Sequence, residues 1–466
     1  MGERKTDETT LKKLLLDFHG PGGRYAYFPS RQDWSISFDG PDAKTPWSKL
    51  LLEKMILPDT RSIASPLSID LYVHLPFCEQ LCTFCGCNIA ITKDHQVERP
   101  YIETILRELD FYLEHLGPLT LNSLYLGGGT PNFLSSENLH FLLQGIFSKA
   151  IPSRTFFGTI ELDPRHLQRE FLSTLAQYNI KRFLLGIQDL DDQTMMNVNR
   201  PQNLPLLEKA IEEISQIEDF FLSGDLIYGL PLQTRDRLAY TMTELSRLPF
   251  HAFSYYPLAQ AFWQKQHQVA FGQFTPSSPE TLIQLFLNGD SALKAQDFQA
   301  VGFGHYLRAN HQDTKIILEG RGARNISGFS PRLTPYLLGL GVGAISTFPN
   351  LYWQNQRILE QYKRQIGGPD GYPERANPRS DMDHFLGSFF EKIICQKFVS
   401  NALVDEAETL YTMSEKDHHL ALLAQLHEHQ MLMADKDHLQ VSEFGTYFMK
   451  SICQAFDPYF LGRQRK

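Results

Sequence analysis

From residue 69 the chain alternates between short runs rich in β-formers and longer stretches with apolar residues at helical spacing, and no other feature restricts its fold as much. The β-like runs are 69–74, 123–126, 156–162, 182–187, 220–228 and 252–257. Between them lie helix-like stretches at 101–116, 137–151, 167–177, 204–217 and 235–247, and Ser135 and Ser136 offer an N-cap for the second. A strand and helix repeated in this way predict an α/β fold with a parallel sheet, its right-handed crossovers placing the helices on one side. Alternation alone leaves an open sheet and an incomplete barrel equally available.

Four of the six cysteines, Cys78, Cys82, Cys85 and Cys87, fall within ten positions directly after the first β-like run. The spacing C-x3-C-x2-C supplies three thiolates, one fewer than a four-iron cluster needs for full ligation by protein. One iron would then stay open to bind and activate a small molecule, as a catalytic zinc keeps one position free. A zinc site is the weaker reading, because no second cysteine pair or histidine set follows. Disulfides are disfavoured in a long chain without a secretion signal. Cys87 admits two readings: a fourth ligand would close the cluster, whereas a spare thiol leaves it reactive, and the tight C-x-C step favours the spare thiol. Cys395 and Cys453 sit singly in apolar helical stretches and read as packed core.

Other polar residues sit where parallel folds collect their active sites. Glu161, Gln188 and Asp225 each end or interrupt an otherwise apolar strand, at the strand ends that line such sites. The competing account is that they cap helices or pair with Arg182 or Arg200. Gly127-Gly-Gly-Thr130-Pro131 follows the second strand, where glycines let backbone approach a ligand, and no Gly-Lys-Ser/Thr follows to make it a phosphate loop. His418, His419, His427 and His429 read as decoration of solvated helix faces.

At 466 residues the chain is long enough for two or three units, or for one barrel with additions. The boundaries expected are an N-terminal arm over 1–55, the barrel with its extension over 56–366, and a mainly helical, winged-helix-like domain over 367–466. Acidic residues outnumber basic ones by 53 to 44, a net charge of −9 that disfavours nucleic acid as a partner. No run reaches the ~18–20 apolar residues of a membrane span, and the acidic start is no signal peptide, so a cytoplasmic location is expected. Gly2 matches the loose N-myristoylation pattern, read as a chance match.

The cysteine loop resembles the signature of radical S-adenosylmethionine (SAM) enzymes, and the fuller set of landmarks resembles the oxygen-independent coproporphyrinogen III dehydrogenases (oxidases). Those landmarks are Cys85-Gly-Cys87-Asn88, Gly-Arg24-Tyr25, Gly127-Gly-Gly-Thr-Pro131, Ile160-Glu-Leu-Asp163-Pro, Gly186-Ile-Gln188-Asp189, Asn199-Arg200, Asp225-Leu-Ile-Tyr-Gly-Leu-Pro231, Gly341-Val-Gly-Ala-Ile-Ser346 and Ile452-Cys-Gln-Ala-Phe-Asp457. The resemblance implies a partial (β/α)6 barrel and a [4Fe-4S] cluster on Cys78, Cys82 and Cys85. It implies SAM, two molecules in that family, on Tyr72, Phe84, Gly128, Gly129, Thr130, Glu161, Gln188, Arg200, Asp225, Ala259 and Ile345. It further implies a tetrapyrrole substrate, with Arg24 as a partner for propionates, an electron donor such as flavodoxin or ferredoxin, and a monomer. The activity implied is conversion of two propionates of coproporphyrinogen III to vinyls by a 5′-deoxyadenosyl radical. The chain departs from the family at Asn325-Ile-Ser327-Gly-Phe329 and at Gly304, which puts the second SAM and the substrate in question. A haem chaperone or an enzyme modifying haem itself are the alternatives.

Overall fold

The computed structural model describes residues 13–14, 36–37, 47, 66–259, 277–325, 327–366 and 373–462. Arg24, Gly2 and nearly all of the expected arm lie outside the described residues.

Period-2 alternation sets the two faces of the first strand, β1 (Leu67–Leu75). Its Ile69, Leu71, Val73 and Leu75 are all buried, while Tyr72 and His74, two apart, line the main cavity of the molecule. Five further strands continue the sheet in parallel: β2 (Leu119–Gly128), β3 (Ala150–Leu162), β4 (Ile180–Gln188), β5 (Phe221–Tyr228) and β6 (Ala252–Pro257). The crossovers are helical: α1 (Glu98–Leu116), α2 (Ser136–Lys149), α3 (Arg169–Gln177), α4 (Leu204–Ile214) preceded by a short helix at Asp192–Asn197, and α5 (Arg235–Leu245). Ser135 caps α2, its side chain accepting from Asn138 N.

These six strands form the centre of a larger, thirteen-stranded sheet. After α6 (Pro279–Lys294), strands β7 (Phe298–Gly302) and β8 (His305–Arg308) extend it antiparallel beyond β6. Phe303 (φ 53°) and Gly304 (φ 75°) turn between them, as a two-residue hairpin requires, and a Cβ on Gly304 would lie 2.4 Å from the Tyr255 carbonyl oxygen. The departure at Gly304 therefore belongs to hairpin geometry. On the other flank β9 (Leu337–Leu340) pairs parallel to β1, and β10 (Ile345–Phe348), β11 (Leu351–Gln354), β12 (Arg375–Pro378) and the short strand Ile36–Ser37 follow antiparallel. The alternation in the sequence did not predict β9, which returns the chain beside the strand that leads into the cysteine loop.

The C-terminal region packs two helices, Asn401–Glu408 and Met413–Glu428, with a three-stranded antiparallel sheet of Phe398–Ser400, His438–Val441 and Leu432–Ala434. It shares one buried apolar core with the strands above. Tyr447 donates to both carboxylate oxygens of Asp290 on α6 (2.9 and 3.0 Å), and the Lys397 ammonium donates to the carbonyls of Val301 and Ile394. The expectation of solvated histidines fails at His419: it is fully buried, its Nδ1 2.6 Å from the Ala455 carbonyl, because its helix packs that face against the C-terminal helices. Among the described residues no helix is long and apolar enough to cross a membrane.

Candidate active site

The loop after β1 is pinned at several points, so its cysteines occupy fixed places. Phe77–Cys78 pairs parallel with Ala90–Ile91, Thr83 N donates to the Val198 carbonyl (3.1 Å), and Asn199 Nδ2 donates to the Leu81 carbonyl (2.7 Å). Cys78 and Cys82 are buried, Cys85 and Cys87 half-buried, and all four line one cavity of about 640 Å³ where the C-terminal ends of the strands converge. Burial pushes the Cys78 thiol up to about 12, opposed by the Thr130 hydroxyl 3.2 Å away, while the hydrogen bond with Cys87 draws Cys85 below the ordinary thiol range. A bare thiol at Cys78 is thus costly to ionise, and a cationic cluster would supply the missing charge.

Behind the loop stands a buried cation. Arg200 contacts Asp163 (3.1 Å), donates to the Gly186 carbonyl (2.9 Å) and reaches Cys82 Sγ (3.7 Å). Arg165 grips the same carboxylate through Nε and Nη2 (3.0 and 2.7 Å). Burial alone would raise Asp163, yet Arg200 and Arg165 hold it well below the usual carboxylate range. Burial likewise opposes the charge of Arg200, which Asp163 and the thiol of Cys82 more than restore. Both groups are therefore charged at neutral pH.

The opposite wall is built from backbone. Gly128 has φ 115°, and a Cβ there would meet the His74 ring at 2.6 Å; one on Gly129 would meet the Pro76 carbonyl at 2.6 Å. Glu161 accepts from Tyr125 OH (2.8 Å) and Gly128 N (3.1 Å), so it braces the glycine turn as well as facing the cavity. Burial drops His74 to about 4, so it is neutral. Its Nε2 lies 2.8 Å from the Asn88 carbonyl and must donate there, which leaves Nδ1 to accept from Tyr72 OH at 2.9 Å. Gln188 ends β4 in the left-handed region (φ 65°) with Oε1 buried and without a hydrogen-bond partner. Strain and an orphaned acceptor at one residue point to a ligand.

The cavity brings together every candidate predicted on the described residues: Tyr72, Cys78, Cys82, Phe84, Cys85, Gly128, Gly129, Thr130, Glu161, Gln188, Arg200, Asp225, Ala259 and Ile345. Ser327 is on its wall too. Sequence reasoning missed His74, Tyr125, Asn88 and Arg165; of these only His74 carried a signal, sharing an inward face with Tyr72. Among the described residues no three Cys, His, Asp or Glu side chains converge on a single ion. The thiols are instead spread along one loop around open space, with a glycine floor and the orphaned acceptor of Gln188 beside them. Those features fit a cluster with a nucleotide next to it.

Residues 72–245 match the family model of the radical SAM superfamily. That match spans 174 of the 466 residues: this stretch is similar to the radical SAM superfamily, whose cofactors are a [4Fe-4S] cluster and SAM. Among curated proteins it is similar to the oxygen-independent coproporphyrinogen III oxidase of Escherichia coli, 27% identical over 97% of this chain and 96% of that one. The enzyme of the same name from Pseudomonas aeruginosa is 28% identical over 88% of this chain and 90% of its own. Among solved structures, coproporphyrinogen III oxidase from E. coli superposes with a TM-score of 0.81 at 24% identity, covering 92% of this chain and 97% of that chain, which shows a shared fold.

Proposed function

We propose that this protein converts two propionate side chains of coproporphyrinogen III to vinyl groups without oxygen, yielding protoporphyrinogen IX for haem biosynthesis. The observation that carries this reading is similarity to enzymes named for that activity running along 97% of the chain. In this reading Cys78, Cys82 and Cys85 hold the cluster and Cys87 is not a ligand to it. When bound, the cluster and SAM supply a one-electron cleavage that gives methionine and a 5′-deoxyadenosyl radical. Each propionate would then lose a hydrogen atom from its β-carbon to that radical, carbon dioxide, and one electron to an external one-electron acceptor.

The chain's own work is binding and exclusion. Arg200 fixes the cysteine loop through Cys82, and Glu161 with Gly128 and Gly129 forms the nucleotide floor. Gln188, Asp225, Tyr72, Phe84, Thr130, Ala259 and Ile345 surround the nucleotide, in a cavity that must shed water before a radical forms. Arg24 pairs with a substrate carboxylate. Electrons come from a flavodoxin or ferredoxin to a monomer in the cytoplasm.

The test is anaerobic incubation of the reconstituted protein with coproporphyrinogen III, a reductant and SAM. Vinyl product with carbon dioxide released supports the reading. Tight haem binding without SAM cleavage, or modification of added haem instead, would replace it.

A further inference from the structure

Glu108 lies on α1, far in sequence from every motif of the site, and its side chain is fully buried. Its Oε2 accepts from Gly341 N (2.9 Å) and from Tyr362 OH (2.6 Å), and its Oε1 accepts from Asn355 Nδ2 (2.6 Å). No cation is among its partners, so a buried carboxylate is held by three neutral donors, an arrangement that fixes geometry more than it adds stability. What it fixes is the turn after β9. Gly341 has φ 100°, Asn355 Nδ2 also donates to the Gly341 carbonyl (2.9 Å), and Ala344 N closes the turn onto that carbonyl (3.2 Å). Gly343, Ala344 and Ile345 then wall the cavity. About two helical turns earlier on α1, Tyr101 OH donates to the His74 carbonyl (2.8 Å) and accepts from Val342 N (3.0 Å). A single face of α1 therefore clamps the ends of β1 and β9 together.

We propose that Glu108 is a positioning residue for the nucleotide cavity: it sets the place of Gly341–Ile345 and so the affinity for SAM, without touching SAM or cluster. The proposal rests on the reading that SAM occupies this cavity. Glu108→Gln is the discriminating change. Either placement of the new amide sets its nitrogen donor to donor, against Asn355 Nδ2 in place of Oε1 or against Gly341 N in place of Oε2, and relief by rotating Asn355 gives up the Gly341 carbonyl. Tyr362→Phe removes one donor and leaves the carboxylate, a milder disturbance of the same turn.

Both variants and the wild type are reconstituted with iron and sulfide, and SAM binding is read from the change in the spectrum of the reduced cluster. We expect Glu108→Gln to raise the Kd and KM for SAM by about tenfold, the loss of roughly one net hydrogen bond. Iron content stays at the wild-type level and kcat stays within about twofold, because nothing at the reacting centre changes. Tyr362→Phe moves KM the same way by a smaller factor. Wild-type affinity in Glu108→Gln overturns the proposal, as does a fall in kcat with KM unchanged. If the variant does not fold, an unshifted KM in Tyr362→Phe overturns it equally. Wild-type protein that holds a cluster but ignores SAM sinks the underlying reading itself, a result recognisably different from the other two.

Discussion

At the scale of single residues, the cavity wall combines groups that cost the fold stability with groups whose space is already full. Gln188 belongs to the first kind, with an unpartnered buried oxygen and a left-handed backbone. Replacing it by Met keeps the volume and removes the orphan, so the Gln188→Met protein without SAM should melt a few degrees higher while its SAM affinity falls at least several-fold. Calorimetry and a binding titration check both halves; a variant that loses stability contradicts the assignment. Gly128 is the second kind. An alanine there must adopt φ 115° and push against a His74 ring that is tied at both nitrogens, a strain of roughly 1–3 kcal/mol. Gly128→Ala should lower the melting point by several degrees and abolish measurable SAM binding, whereas Gly86→Ala, with no protein atom near its missing Cβ, should leave the melting point where it is. The cysteine spacing and the polar ends of apolar strands made Cys78, Cys82, Cys85, Glu161, Gln188 and Asp225 legible in the sequence, whereas Tyr72, Phe84, Arg200, Ala259 and Ile345 came only with the family resemblance. Tyr125 was not, since a tyrosine in a strand reads as core until the strand's inward face is known, and His74 showed only by sharing that face with Tyr72.

At the scale of elements, the six central strands and their crossovers follow from local periodicity, and the observed limits differ from the expected ones mainly by longer strand ends. The strand β9 offered only four residues, too few for a period, and its pairing with β1 closes across more than 260 residues of chain. Such a contact leaves no local trace. Glu108 was hidden for a related reason: on a helix with an apolar face, a glutamate reads as solvent-facing unless the packing partner is known. Its burial makes α1 sensitive to pH. Burial raises its carboxyl from 4.5 to about 7, with Tyr362, Gly341 and Asn355 opposing. The titratable groups against it, Tyr101, Tyr112 and Tyr362, are all raised by burial and stay neutral. Because the folded state holds this proton more tightly than the unfolded chain, the associated stability is complete below about pH 4.5 and is lost as pH rises through 7, by about 3 kcal/mol. Urea unfolding at pH 5 and pH 8 should therefore show the stability of Glu108→Gln rising relative to wild type by that order. An unchanged difference between the two pH values would mean that the carboxyl ionises normally.

At the scale of the whole molecule, the sequence suggested separate units, since alternation stops and helical composition takes over after residue 367. The buried core nevertheless runs without a break from β1 to Phe456. Polar contacts cross the same boundary. Asp290 on α6 accepts from Tyr306 OH (2.9 Å) on β8 and from Tyr447 OH near the C-terminus, so one carboxylate ties a central helix, a sheet edge and the C-terminal region. Shared apolar burial makes partial unfolding expensive, because removing either part would expose the face of the other. The barrel and the C-terminal region should accordingly melt in a single transition by calorimetry. Tyr447→Phe leaves Asp290 with Tyr306 and Lys294, at a cost of roughly 1 kcal/mol for one lost hydrogen bond. That loss should move the one transition downward by a few degrees and leave it single. If instead Tyr447→Phe splits the trace, with the C-terminal part melting first, the two regions are energetically independent.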